Sequence, residues 1–209
     1  AIDEGDDPFR PVTTGVEHLR FTVTDDSGGA GAHTPELKID LTSGVETIQV
    51  DNYTNDTTDD VLTLSGLGTG VVVKLADNAG AANRDNDLTI EYEAVTGTAD
   101  AATIKVDTTT ANNTYGTITA AGIETLTIIN SGDKTGTYAL TAAAATTVNI
   151  QGTASSNTLT AVSATKLVAD VTGDTTITNG DLTANLTYDI TVAADATFTA
   201  TPTPSDYSD

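Results

Sequence analysis

The chain has 209 residues, with 30 acidic against 8 basic residues and a formal net charge of −22. This negative charge disfavours nucleic acid and anionic membranes as partners, because both attract clustered Lys and Arg. The sequence has no Cys, which excludes disulfides, thiolate metal sites and cysteine nucleophiles. No apolar stretch approaches the roughly 20 residues that span a bilayer, so we expect no direct membrane insertion.

Threonine, alanine and aspartate, at 44, 28 and 23 residues, make up nearly half the chain. Short β-branched runs recur along the sequence, and Gly, Asn and Asp separate them. That alternation of runs and turn residues is typical of strands joined by turns. The composition therefore predicts an all-β fold.

Residues 1–14 form an acidic N-terminal extension that includes Asp3, Glu4, Asp6 and Asp7. A phrase of glycine, an aliphatic residue and glutamate, followed by an alternating strand, then occurs three times, at residues 15–21, 44–50 and 122–128. We expect each glycine to adopt a backbone conformation that other residues avoid, and each aliphatic residue to anchor its turn to the core. We interpret the glutamate first as a solvent-exposed residue at the beginning of the strand, and second as a ligand for a cation.

Strand-like runs continue through the first half at uneven spacing, around Ile48, Leu62, Val72, Leu88 and Ile104. The second half is regular. One series of strands starts near Leu126, Val148, Leu167 and Ile190, and a second series lies between them near Leu140, Leu159, Ile177 and Phe198.

Two interleaved series with a period near 20 residues predict a parallel β-helix, or solenoid, in which each strand pairs with its copy one coil along. We place the solenoid at residues 15–200, with irregular coils to about residue 110 and regular coils after it, and a Pro/Thr linker or tail at residues 201–209. Roughly ten coils at about 4.8 Å each would give a rod on the order of 50 Å long. Tandem β-sandwich domains are the alternative.

Two loops are rich in the oxygen ligands that calcium prefers. The first supplies Asp51, Asn52, Asn55, Asp56, Asp59 and Asp60, and the second supplies Asp77, Asp85 and Asp87. The amino-terminal acidic cluster is a third, weaker candidate. A solvated acidic surface is the competing interpretation. Calcium is the expected cofactor.

Catalytic motifs are not evident. His18 lies in an alternating strand and His33 in a Gly/Ala loop, and neither is near a nucleophile elbow or a zinc-binding helix. Carboxylate pairs can cleave sugars, but here they are too abundant to be specific. The sequence predicts that the chain is not an enzyme, with a polysaccharide-degrading β-helix as the remaining catalytic alternative.

The glycine–aliphatic–glutamate phrase, together with Thr-, Ala-, Asn- and Asp-rich strands and no cysteine, resembles the β-solenoid regions of bacterial surface-layer proteins. These are the type I secreted proteins of the calcium-binding repeats-in-toxin group, and similar stretches occur in large surface adhesins. The Gly-Gly-x-Gly-x-Asp nonapeptide is absent, since Gly28-Gly29-Ala30-Gly31-Ala32 lacks the aspartate. No calcium ligand of the family can therefore be assigned to a residue here.

The resemblance implies an extracellular, calcium-dependent structural protein of the cell surface that assembles with identical subunits. An adhesin module that binds a glycan or a host surface is the alternative, and cell-surface polysaccharide is then a further expected partner.

Overall fold

The structure, a computed structural model, describes residues 8–24, 34–40, 42–54, 61–76, 87–107, 113–132, 134–153, 155–161, 163–179 and 187–202. Eighteen β-strands occupy this part of the chain. In chain order they are β1 (Thr13–Thr14), β2 (His18–Thr24), β3 (Glu36–Lys38), β4 (Thr42–Ser43), β5 (Thr47–Thr54), β6 (Val61–Leu67), β7 (Val72–Leu75), β8 (Asp87–Tyr92), β9 (Ala101–Asp107), β10 (Asn113–Ala120), β11 (Thr125–Ser131), β12 (Gly136–Thr141), β13 (Thr147–Gly152), β14 (Ser155–Thr160), β15 (Lys166–Val171), β16 (Thr175–Asn179), β17 (Thr187–Val192) and β18 (Phe198–Pro202).

The strands form two eight-stranded sheets that alternate along the chain. Sheet I has the order β17-β15-β13-β11-β9-β7-β5-β2, and sheet II has the order β18-β16-β14-β12-β10-β8-β6-β3. The short strands β1 and β4 make a third, two-stranded sheet beside the first two coils. Each coil thus contributes one strand to each large sheet, which confirms the predicted parallel β-solenoid.

Every strand pairing is parallel, and each strand pairs with the equivalent strand of the neighbouring coil. Sandwich domains of the immunoglobulin type are built from antiparallel strands, so the alternative of tandem sandwiches is wrong. Among the described residues, no helix has the length and apolar character needed to cross a membrane.

The core between the sheets consists of stacked aliphatic columns, because alternate residues of each strand point inward. In sheet I one column runs Leu19, Ile48, Val73, Ile104, Ile128, Ile150, Ala169 and Ile190. In sheet II another runs Leu62, Leu88, Ile118, Leu140 and Leu159. The central members are fully buried; Ile104, Ile128 and Val73 are each 0% exposed.

The sheet I column measures the coil length directly, since its members occupy equivalent positions. Successive members are separated by 29, 25, 31, 24, 22, 19 and 21 residues. The separations are 24 to 31 residues up to Ile128 and 19 to 22 residues beyond it. The eight strands of each sheet give eight described coils rather than roughly ten, a stack on the order of 40 Å long.

The connections between strands vary in length in both directions. Those from sheet I to sheet II range from two residues, between β13 and β14, to eleven residues, between β7 and β8. Those from sheet II to sheet I range from four residues, between β6 and β7, to eight residues, between β8 and β9. Residues 55–60 connect β5 to β6, and residues 76–86 connect β7 to β8.

Candidate functional site

The repeated glycine phrase forms the corner that enters sheet I. Gly15, Gly44 and Gly122 have φ values of +69°, +82° and +74°, a left-handed conformation that is strained for other residues. Ile123 in the third phrase is 0% exposed, and Val45 packs against the core. The predicted glycine conformation is confirmed in all three phrases, and the predicted aliphatic anchor is confirmed at Val45 and Ile123.

The glutamates of the phrase hold the corner mainly through their backbones. The Glu17 carbonyl accepts from the N–H groups of Glu46 and Thr47, and the Glu124 carbonyl accepts from Thr146 and Thr147 in the same way. In both phrases, one glutamate carbonyl therefore accepts hydrogen bonds from two consecutive backbone N–H groups of the next coil.

Their side chains differ from one phrase to another. Glu17 and Glu46 are exposed, whereas Glu124 Oε2 accepts a 2.9 Å hydrogen bond from the backbone N–H of Asp100. This bond gives Glu124 a structural partner one coil below it.

Asp51, from the first predicted calcium loop, lies at the end of the regular part of β5 and is 6% exposed. Its carboxylate pairs with the Arg20 guanidinium through Nε, and its Oδ1 accepts from Gln49 Nε2 at 2.6 Å. The cationic partner balances the charge of this buried carboxylate, and the two donors occupy its hydrogen-bond acceptors. Both carboxylate oxygens of Asp51 therefore have protein partners in this arrangement.

Asp87, from the second predicted loop, begins β8. Its Oδ1 accepts a 2.6 Å hydrogen bond from the backbone N–H of Thr117, in the strand one coil along. The carboxylate at the start of β8 thus joins this strand to β10, its neighbour in sheet II.

Of the other predicted calcium ligands, the structure describes only Asn52. Asn52 lies in β5, whereas the remaining ones fall outside the described residues; these are Asn55, Asp56, Asp59, Asp60, Asp77 and Asp85. The amino-terminal acidic residues and His33 also fall outside them. Within the described ranges, no group of three or more His, Asp and Glu side chains could hold a metal ion.

The strands that flank the two predicted calcium loops are neighbours in the sheets. The first loop leaves from β5 and returns at β6, and the second leaves from β7 and returns at β8. Because β5 pairs with β7 and β6 pairs with β8, the strands that flank the loops are neighbours, about 4.8 Å apart. Sequence spacing alone could not show this proximity.

At the amino-terminal end of the rod, a short segment of the chain pairs with the outer edge of β3. Phe9 bridges to Leu37, which is 0% exposed, through backbone hydrogen bonds with Glu36 and Lys38. The Phe9 ring also packs edge-on against Phe21, with centroids 6.3 Å apart. This contact closes part of the gap between the sheets at the first coil.

The carboxy-terminal end is open by comparison. Tyr188 and Ile190 of β17 continue the columns of Leu167 and Ala169, which are each 1% exposed. Tyr188 is nevertheless 47% exposed and Ile190 is 36% exposed. Within the described ranges, nothing pairs with the outer edges of β17 and β18. In the last described coil, residues that continue the core columns are therefore partly exposed, and the backbone N–H and C=O groups at the outer edges of β17 and β18 have no strand partner among the described residues.

A scan against protein-family models, a search of curated proteins and a search of solved structures each find no match to this chain.

Proposed function

We propose that this chain is an extracellular structural protein that assembles with identical copies into a cell-surface layer or fibre, and that calcium promotes the assembly. The observation that supports assembly is the open carboxy-terminal coil. A solenoid buries each coil only against its neighbours, so the exposed apolar residues and strand edges of the last described coil are of the kind that another strand can pair with.

The first coil of a second copy has suitable chemistry for this end. Strand β2 is the outer strand of sheet I at the other end of the rod, and Leu19 and Phe21 are its inward residues. If β2 of one copy pairs with β17 of another and continues the columns, Leu19 lies over Ile190 and Phe21 over Val192. The aliphatic columns then run from copy to copy.

Electrostatic repulsion opposes such assembly, because each copy carries a formal charge of −22 and like charges repel at short range. The two acidic loops follow β5 and β7, which are neighbours in sheet I. Their carboxylates and amides are of the type that calcium binds. Calcium bound to these loops would remove repulsion within a copy and between copies, which supports the proposed calcium dependence.

A calcium titration tests the proposal, followed jointly by thermal unfolding and by particle size in light scattering. Calcium is expected to raise the melting temperature and to increase particle size, and a chelator is expected to reverse both. Magnesium at the same concentration is the ionic control, since it keeps more of its water. Particle size that does not change with calcium or chelator would contradict calcium-dependent assembly.

Two sets of variants separate the end contact from the calcium effect. Ile190→Lys places a charge in the proposed end contact, so it should abolish assembly and leave the calcium-induced rise in melting temperature. The combined change of Asp56, Asp59 and Asp60 to Asn should reduce that rise, whereas Asp195→Asn, in an exposed turn, should not. Full assembly of Ile190→Lys would exclude the open coil as the contact.

A further inference from the structure

The outward side of sheet II carries an array of threonine in its carboxy-terminal half. We define the threonine face as the outward positions of β10, β12, β14, β16 and β18 whose side chains are described. All are threonine except one alanine: Thr117, Thr119, Thr137, Ala139, Thr141, Thr158, Thr160, Thr176, Thr178 and Thr199.

The strand register arranges these residues in straight columns along the rod. One column runs through Thr119, Thr141 and Thr160. A second runs through Thr117, Ala139, Thr158 and Thr178. Pairing between β10 and β12 shifts once, between Thr114 and Thr117, so the columns are in regular register from Thr117 onward, and the later pairings have no shift. The array is therefore regular in two directions.

The face carries no charged residue, although the chain has 30 Asp and Glu. The outward side of sheet I over the corresponding coils differs, because it carries Lys166, Asp170 and Asp189. Lys166 and Asp189 there form an ion pair at 3.5 Å. The threonine face is thus a neutral area on a strongly acidic molecule.

Hydroxyl groups suit a lattice of water better than charged groups do. A threonine hydroxyl donates one hydrogen bond and accepts two, whereas a carboxylate only accepts and an ammonium only donates. The β-branched side chain has few χ1 rotamers, so its hydroxyl is held in position before any contact forms. A neutral threonine array can therefore join a hydrogen-bonded network of water in which every oxygen both donates and accepts.

The spacing of the array also suits such a network. Neighbouring strands place threonines about 4.8 Å apart along each column, and alternate residues along a strand are about 6.6 Å apart. In tetrahedrally hydrogen-bonded water with O···O distances of about 2.75 Å, second-neighbour oxygens are about 4.5 Å apart. The difference along a column is about 0.3 Å per coil, or about 1 Å over four strands.

We propose that the threonine face binds ice. The ligand is the ordered surface of crystalline water, and the columns of hydroxyl groups lie along rows of its second-neighbour oxygens. The proposal depends on this face alone, and it is independent of end-to-end assembly and of calcium.

The test measures the partition of the purified chain into a slowly growing ice hemisphere, together with thermal hysteresis. The chain is expected to enrich in the ice and to lower the freezing point below the melting point. Thr158→Tyr and Thr178→Tyr each place a ring on the exposed face, and each should lower both signals several-fold. Tyrosine is favoured in strands, so folding should be retained; circular dichroism and the melting temperature check this.

The matched control is Thr191→Tyr, which makes the same change at an exposed outward position of sheet I. It should leave partition and hysteresis unchanged. Exclusion of the parent chain from ice, or an equal loss in the control variant, would overturn the proposal. A dimer in analytical ultracentrifugation that Thr158→Tyr abolishes, without enrichment in ice, would assign the face to a second copy instead. Retention on crystalline cellulose without enrichment in ice would assign it to a polysaccharide.

Discussion

Gly152 occupies a position at which a side chain has no room. Its φ is +95°, and a Cβ atom would lie 1.9 Å from the carbonyl oxygen of Asn130, in the strand of the preceding coil. Gly152→Ala is therefore expected to destabilise the protein by about 2 kcal/mol or more, measured from the urea midpoint. Gly68→Ala is the control, because Gly68 has neither a positive φ nor an atom within 4 Å of its Cβ position. Equal midpoints for the two variants would contradict this packing argument.

Tyr92 is buried at the end of β8, and among the described residues its hydroxyl has no hydrogen-bond partner. Burial raises the pKa of Tyr92 above its usual value near 10, because the charged form is poorly solvated in the core. The folded state therefore holds the proton more tightly than the unfolded state. The contribution of neutral, buried Tyr92 to the free energy of unfolding is therefore complete below pH 10, and it decreases as the pH rises above 10.

Tyr92→Phe should therefore be neutral, or stabilising by about 1 kcal/mol, at pH 7, since it removes a buried hydroxyl that lacks a partner. It should also make the loss of stability above pH 10 less steep. Urea unfolding at pH 7 and at alkaline pH measures both effects, with Tyr188→Phe, at the exposed end, as the control. A large loss of stability at pH 7 would indicate that the hydroxyl has a partner.

The conformations of the phrase glycines could be predicted at this scale, whereas the contacts of the candidate ligands could not. The glycine prediction needed only a turn residue before a strand. Asp51 pairs with Arg20, which is 31 positions away, and Asp87 accepts from Thr117, which is 30 positions away. Neither distance equals the 20-residue period, because the early coils are longer. Sequence spacing therefore could not reveal that these carboxylates join neighbouring coils.

At the level of strands, the sequence predicted the repeat of the coils and the inward-facing residues of most strands. It did not predict every pairing of residues between neighbouring strands. Ile190 pairs with Ala169 rather than Leu167, and Phe198 pairs with Thr175 rather than Ile177. Each shift is two residues, which keeps the same side chains inward, so alternation cannot detect it. At Val72 the shift is one residue, and Val73 is the buried member of the pair. Three consecutive valines gave no alternation there to fix the face.

The columns also predict how strongly each coil contributes to stability. Ile128 lies between Ile104 and Ile150 and is 0% exposed, so Ile128→Ala should cost about 2–5 kcal/mol. Ile190 ends the same column and is 36% exposed. Ile190→Ala should therefore have a much smaller effect, measured by urea unfolding at concentrations at which the chain is monomeric.

Comparable losses from the two variants would mean that the last coil is packed as tightly as a central one.

The distribution of threonine between the two sheets was not predictable from the pattern of strands. Alternating runs such as Thr176-Ile177-Thr178 place threonine on the side of the strand opposite the aliphatic residue. Both sheets have the same alternation, however, and only the pairing shows which outward residues share a face. The neutral array on sheet II therefore became visible only with the register.

For the molecule as a whole, negative charge opposes compactness. A formal charge of −22 is carried on a rod of eight described coils, and mutual repulsion destabilises the compact state. Raising the salt concentration from 0.01 to 0.15 M shortens the Debye length from about 30 to about 8 Å. We therefore expect the melting temperature to rise with sodium chloride over this range, as measured by calorimetry. A constant or falling melting temperature would show that the carboxylates are too far apart, or too well paired, to destabilise the fold.

The parallel ladders have a mechanical consequence. Hydrogen bonds between neighbouring coils point along the rod axis, so a pulling force applied at the two ends loads the coils in series. The coils at the ends of the stack yield first, because their strands β2, β3, β17 and β18 are the edge strands of the two sheets in the described chain. Each coil of 19 to 31 residues can extend to about 65–100 Å, compared with about 4.8 Å when folded. Under tension the rod would lengthen stepwise, one coil at a time, and absorb work at each step.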